Sequence, residues 1–262
     1  MKKIVIVLLL VVLMSTPAFA LFTNGGFETG DYTGWTVTYG RVDGSSATPA
    51  NPNWSSYRSD QPMATIISAA TFPDAYQTLD VNPYNDTYMA KINNIVGNYH
   101  VTKLSQSDTL TAADLTETVY VNWGTMLVDP NHSDAQNPYF SIRVLINGSI
   151  VNEFHANANE TNVGGIPING WVLAGDDNAS GSGSKLYYKN GTYSYNLAGY
   201  SAGDSIAIEM FVSDCDLGGH GAYAFLDGIG TVYQPPDGVP EPATLLLLGL
   251  GLVGLAGLRR RK

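Results

Sequence analysis

Tyr139-Phe-Ser-Ile-Arg-Val-Leu-Ile146 is followed by Asn147-Gly148 and then by Ser149-Ile-Val-Asn-Glu-Phe-His155. Apolar residues alternate with polar ones in the first run, the period of a strand with one face on a core. Asn-Gly is the dipeptide that accepts positive φ at two successive positions, so it closes a two-residue hairpin onto the second run. Similar short runs recur at Gly191 to Leu197, Ser205 to Val212, and Ala222 to Leu226 continuing through Ile229 to Tyr233. Further strands are expected at Trp35 to Tyr39, Thr87 to Ile92, Tyr99 to Leu104 and Thr118 to Leu127. Between Leu21 and Tyr233 no long helical period competes with this pattern, so residues 21–233 read as a single all-β sandwich. The long polar connections, Gly44 to Ser59, Asp129 to Pro138, Asn157 to Ile168 and Asp176 to Ser184, are where specificity would reside.

The two ends of the chain are of another kind. Lys2 and Lys3 precede the apolar run Ile4 to Met14, and Ala18-Phe19-Ala20 offers the small-x-small pattern of a signal-peptidase site. Residues 1–20 are therefore expected to be a signal peptide, with signal peptidase as a processing partner. At the other end, residues 234–238 form a stiff linker containing Pro235-Pro236. Val239-Pro240-Glu241-Pro242 follows, then an uncharged run over 243–258, then Arg259-Arg260-Arg261-Lys262. Sixteen helical residues at ~1.5 Å rise cover most of a ~30 Å hydrocarbon layer, and snorkelling cations at its end make up the difference. The run is expected to be a single membrane helix, with the basic tail cytoplasmic and the preceding domain outside.

This order of parts resembles the PEP-CTERM sorting signal of bacterial exported proteins, over residues 239–262. The resemblance implies recognition of Val239, Pro240, Glu241 and Pro242 by a membrane protease of the exosortase type. Removal of the tail would follow, with delivery to the cell surface or extracellular matrix.

Charge and cysteine usage narrow the partners. Between the signal peptide and the basic tail stand seven Lys and Arg against all 23 Asp and Glu, a net charge of −16. Such a surface repels phosphate backbones, which excludes nucleic acid as a partner. The one cysteine, Cys215, cannot form an internal disulfide, so core burial must hold the domain together.

A second resemblance lies at the two ends of the sandwich. Asn24-Gly-Gly-Phe-Glu28-Thr-Gly30 with Gly34-Trp35, and Gly221-Ala-Tyr-Ala-Phe-Leu-Asp227-Gly-Ile229, look like the opening and closing segments of galactose-binding-like jelly rolls, the fold of many carbohydrate-binding modules. It implies a jelly-roll sandwich and a structural calcium held by Glu28 and Asp227. Gly228 departs from the pattern, standing where relatives often carry a second acid. The alternative for these two residues is a turn acceptor at Glu28 and a bulge cap at Asp227. Ser213 to His220 is similar to a loop of other exported domains with this tail. Cys215 and His220 within it read as part of a glycine-rich turn, since structural zinc takes four ligands in recognisable pairs. His100, His132 and His155 share no spacing that joins them.

The sequence has no His-Glu-x-x-His, no P-loop and no Glu-x-Asp-x-x-Glu, and its one Gly-x-Ser-x-Gly, Gly199-Tyr200-Ser201-Ala202-Gly203, stands between two expected strands rather than at the strand-to-helix turn of a nucleophile elbow. No catalytic residue is assigned, and the chain reads as a non-enzyme. Aromatic residues beside polar loops can stack on sugar rings. Trp54, Tyr57, Trp171, Tyr187 and Tyr188 are the candidates, whereas Trp35 and Trp123 lie in strand patterns and belong to the core. The sequence thus points to an exported, non-catalytic protein that binds extracellular polysaccharide; the alternatives are a structural matrix protein without a specific ligand and, further off, a glycoside hydrolase.

Overall fold

The computed structural model describes residues 21–42, 47–54, 63–68, 70–71, 80–81, 83, 87–94, 96–133, 135–176 and 184–233. The signal peptide at 1–20, the linker at 234–238, the sorting segment at 239–262 and Tyr57 lie outside the described residues. In chain order the strands are β1 Thr36–Arg41, β2 Ala64–Ser68, β3 Ala70–Thr71, β4 Asp80–Val81, β5 Tyr88–Asn94, β6 His100–Thr109, β7 Thr118–Asp129 and β8 Tyr139–Ile146. They continue with β9 Ser149–Asn157, β10 Asn162–Val163, β11 Ile166–Pro167, β12 Val172–Asp176, β13 Lys185–Asn196, β14 Ser205–Ser213 and β15 Ala222–Gly230. Two sheets form the sandwich, with strand orders β1-β6-β14-β8-β9 and β12-β13-β7-β15-β5-β2. All their pairings are antiparallel. The fold is an all-β jelly-roll sandwich.

Alternation builds the core between the sheets. Ile142 and Val144 of β8, Ile208 and Met210 of β14 and Leu104 of β6 face Val121, Trp123 and Leu127 of β7 and Ala224 and Leu226 of β15. Each large side chain buried there contributes roughly 1.5–3 kcal/mol, an upper figure because unfolded chains already bury some area. Trp123 packs on Phe140 at 5.4 Å and on Phe154 at 4.9 Å between ring centroids.

The expected hairpin is present. Asn147 and Gly148 take φ of 50° and 79° and join β8 to β9. The strand expected to begin at Gly191 begins at Lys185, so Tyr187 and Tyr188 belong to β13 rather than to a loop. The short strands β2 and β12 were not anticipated, nor was the β10–β11 hairpin inside the connection from Asn157 to Ile168. β15 is buried at every position and β7 nearly so, which hides their period. The cause is a second apolar cluster on the outer face of the six-stranded sheet, made of Met89, Met126, Val128, Ala174, Leu186, Tyr223 and Phe225. A strand covered on both faces reads as a continuous apolar run.

The opening motif locks the domain to its last strand. Gly25 accepts from the Ile229 N–H at 2.9 Å, and a Cβ at Gly25 would sit 1.7 Å from the Ile229 carbonyl oxygen, so only glycine allows the approach. Phe27 packs on Trp35, whose indole N–H donates to the Asn24 carbonyl at 3.0 Å.

At the other end Asp214 joins the two sheets. Its fully buried carboxylate accepts from Asn93 Nδ2 in the six-stranded sheet at 3.0 Å, from the His100 N–H in the five-stranded sheet at 2.9 Å, and from the Asn98 N–H between them at 3.1 Å. Asp214→Ala would leave the buried Asn93 amide and His100 N–H without that acceptor, at about 1–3 kcal/mol each, while the Asn98 N–H is half-buried. Urea unfolding should therefore show a loss of at least about 2 kcal/mol, with Asp214→Asn less severe because its amide oxygen still accepts. An alanine variant within about 1 kcal/mol of the parent would contradict this role for the carboxylate.

Candidate functional site

Residues that alternate with the core positions of β6, β8, β9 and β14 point away from the core and build the outer face of the five-stranded sheet. Register brings them side by side. Glu209 lies opposite Ser105 and Arg143, Phe211 opposite Lys103 and Ser141, Ser141 opposite His155, and Arg143 opposite Glu153. A row of rings runs across the strands. Trp54 meets Phe211 edge-on at 5.8 Å, Phe211 lies against Tyr139 at 5.9 Å, and Tyr139 stacks on His155 at 5.4 Å with 19° between planes.

Charged side chains overlie this row. The Lys103 ammonium stands 4.8 Å from the centre of the Trp54 ring and pairs with Glu209 at 2.8 Å. The Arg143 guanidinium sits 4.6 Å above Phe211, pairs through Nε with Glu153 at 3.0 Å, and donates through Nη2 to the Ala50 carbonyl at 3.2 Å. Glu153 Oε1 also accepts from the Ser141 hydroxyl at 2.7 Å and the Tyr139 phenol at 3.1 Å. Burial alone would push the Glu153 carboxyl up, but Ser141, the Arg143 charge and the Tyr139 hydroxyl together hold it below the ordinary carboxylate range. Burial first, and the negative charge of Glu153 second, push the Tyr139 phenol well above its ordinary value. The face is thus a fixed polar array on an aromatic bed, its charged side chains 16–27% exposed. Such an array can donate and accept hydrogen bonds without paying to order its side chains first.

His155 is exposed and also borders a hollow of about 220 Å³ with Glu160, Asn169, Trp171 and Lys189. Of the residues singled out from sequence, Trp54 and Trp171 touch this region, but neither is a free platform. Trp54 is half-buried, and Trp171 is buried with Lys189 6.0 Å from its ring centre. Tyr187 is fully buried in the core and Tyr188 half-buried against the outer cluster of the other sheet, so neither reaches this face. The reason is that β13 extends into that segment, turning Tyr187 inward to the core and Tyr188 outward to the apolar cluster. Arg143, Glu153, Tyr139, His155, Lys103 and Glu209 were missed. The only trace they leave in the sequence is a set of outward positions in expected strands, and nothing there says that those positions adjoin.

Glu28 and Asp227 lie on either side of Gly26, where a Cβ would stand 3.6 Å from Glu28 Cγ and 3.7 Å from Asp227 Oδ1. Glu28 also accepts from the backbone N–H groups of Thr87 and Tyr88, and the buried Asp227 accepts from the Gly228 N–H.

The Ser213 to His220 segment does form a glycine-rich turn, with Gly218 and Gly219 at φ of 74° and 87°. The fold adds to it a histidine that no spacing revealed. His132 approaches from the connection between β7 and β8, so that ligand atoms of His132, Cys215 and His220 all lie within 4.8 Å of one another.

Residues 238–262 match the family model described as the PEP-CTERM protein-sorting motif. No curated protein matches the chain. Among solved structures, the chain is similar to a cyclase from Fischerella sp. TAU in complex with 4-(1H-indol-3-yl)butan-2-one, at 12% identity, TM-score 0.40 and coverage of 84% of this chain and 100% of that one. It is similar also to the CBM27-1 module of Caldicellulosiruptor saccharolyticus in complex with mannohexaose, at 12% identity, TM-score 0.35 and coverage of 83% and 97%. A third likeness is to the enzymatically active domain of tailspike protein 4 of bacteriophage CBA120, at 12% identity and TM-score 0.37; the match covers 82% of this chain but only 22% of the tailspike chain.

The Glu153 array should be visible in acid. Because its folded value lies below the unfolded one, Glu153 adds stability that is fully present above the unfolded carboxyl's titration and is lost as pH falls through the folded value. Glu153→Gln should therefore lower Tm at neutral pH, and the gap to the parent should close as the solution is acidified through the carboxylate range. A gap that is constant with pH in thermal scans would contradict the arrangement.

Proposed function

We propose that the domain is a non-catalytic module of an exported protein, sorted by its PEP-CTERM signal, that holds extracellular polysaccharide on the outer face of its five-stranded sheet. The observation that carries the reading is the preassembled row of Trp54, Phe211, Tyr139 and His155 beneath Lys103–Glu209 and Arg143–Glu153. Sugar hydroxyls both donate and accept, so they suit carboxylates and cations held side by side, while the exposed His155 ring can meet an apolar sugar face. Contacts of this sort are individually weak, and many copies at a surface would supply avidity. The domain's acidity favours neutral glycans over anionic ones. Exosortase-type cleavage at Val239 to Pro242 would release the domain from its membrane-bound intermediate. A second reading, a structural matrix protein without a specific ligand, is favoured by the closed state of Phe211, which is fully buried beneath its neighbours.

Calcium remains part of this proposal as a structural ion at Glu28 and Asp227. Glu28 and Asp227 bring carboxyl side chains to either side of Gly26, oxygen ligands of the kind calcium takes, and binding the ion there would draw Glu28 away from the Thr87 and Tyr88 N–H groups it now accepts from. Bound there, the ion would tie the opening loop to the last strand, and it takes no part in catalysis.

Two measurements test these statements. The exported protein, residues 21–238, should be retained on neutral polysaccharide from the producing cells without release of new reducing ends. His155→Ala and Glu209→Gln should each weaken retention by up to roughly tenfold while leaving the fold intact. New reducing ends would overturn the non-catalytic reading, and no retention would leave the structural one. Separately, calcium returned to chelated protein should raise Tm in proportion to the logarithm of its concentration, and Glu28→Gln should abolish the rise. Identical melting with and without calcium would remove the ion from the proposal.

A further inference from the structure

One side-chain cluster plays no part in the polysaccharide reading. At the end of the sandwich, Cys215 Sγ lies 3.4 Å from His220 Nδ1, and the His132 and His220 rings meet at 5.1 Å, nearly perpendicular. In a tetrahedral zinc site with bonds of about 2.0–2.3 Å, ligand atoms stand roughly 3.3–3.7 Å apart. The Cys215–His220 separation already has that value, and the spread of 4.8 Å across all three ligand atoms closes with a shift of about 1 Å.

The backbone around the cluster is held from several sides. Cys215 N–H donates to the His220 carbonyl at 3.0 Å, and its own carbonyl accepts from Gly218. The Asp216 N–H donates to the Gln136 carbonyl at 3.1 Å, which fastens this turn to the segment carrying His132. The His132 carbonyl in turn accepts from the side-chain amides of Asn137 and Asn159. One buried polar atom of the cluster lacks a hydrogen-bond partner: His132 Nδ1. Buried polar atoms are almost always satisfied, so an orphaned imidazole nitrogen beside a thiol and a second imidazole calls for an explanation. A cation supplies it, since an imidazole nitrogen can ligate one. Asp214 is not part of this set, because its carboxylate is spent on Asn93, Asn98 and His100.

We propose that His132, Cys215 and His220 bind one zinc ion, with solvent in the fourth position, that staples the connection after β7 to the turn between β14 and β15. Two nitrogens and one sulfur form a set suited to zinc rather than to calcium or magnesium, which take oxygen alone. Binding converts the Cys215 thiol, which now donates to the Gly218 carbonyl at 3.1 Å, to a thiolate. Its proton passes to solvent, one for each ion bound, and no electron is transferred. The role is structural: an exported fold with a single cysteine has no disulfide, and a metal can fasten two loops in its place.

Cobalt is the probe, since in a tetrahedral thiolate site it gives a sulfur-to-metal charge-transfer band and intense visible bands. Full-length protein in detergent, first stripped of metal, is titrated with Co²⁺ and then with Zn²⁺. One equivalent of cobalt should bring up the bands and one equivalent of zinc should abolish them. His132→Ala and His220→Ala should each weaken binding by at least about tenfold. Zinc should also slow alkylation of Cys215 in the parent protein, a readout that does not depend on any variant folding. Absence of the charge-transfer band, a half-equivalent end point, unchanged affinity in His132→Ala, or alkylation unaffected by zinc would each overturn the proposal.

Discussion

The Asp214 carboxylate is shared by both sheets, and the sandwich is closed at that end by what it accepts. Burial pushes this carboxyl up to about 8, against the pull of the Asn98, His100 and Asn93 donors. Taking a carboxylate out of water is costly unless its lone pairs are met, and here each sheet contributes a donor. The same contacts settle where neighbouring residues stand. Asn98 and His100 bound the turn between β5 and β6, while Asp214 itself begins the turn that carries Cys215 and His220. With one end held in this way, the opening loop fastens the first and last segments through Gly25 and Ile229.

Differences between the two outer faces follow from what covers them. The six-stranded sheet buries methionine, leucine and aromatic side chains on its outer side as well as its inner one. The five-stranded sheet instead covers its rings with lysine, arginine and glutamate. Cations over aromatic faces with carboxylates alongside keep a ring-rich surface wettable, because the polar heads stay at the solvent while the rings and stems pack below. That arrangement lets the surface present hydrogen-bonding groups in fixed positions without exposing a large apolar patch. Its cost is that the rings best placed for stacking are largely hidden, and only His155 stands open.

Some of this was written in the residue order. Alternation from Tyr139 to Ile146 with Asn147-Gly148 determined a hairpin, and repetition of such runs determined an all-β domain, because a period of two and a turn with positive φ are local properties. The C-terminal segment declared sorting for the same reason: a Pro-Glu-Pro block followed by an apolar run and cations is read along the chain, and the matching family model covers the same residues. The tertiary structure alone decided which outward positions become neighbours. Glu153 and Arg143 adjoin through the hairpin register, whereas Lys103, Glu209 and Trp54 arrive from strands and loops far apart in sequence. It alone decided that Tyr187 and Trp171 are core residues, since burial depends on what packs opposite. It alone brought His132, 83 residues before Cys215, beside the sulfur. Spacing along a strand fixes which way a side chain points, but only strand order and loop packing fix what it meets there.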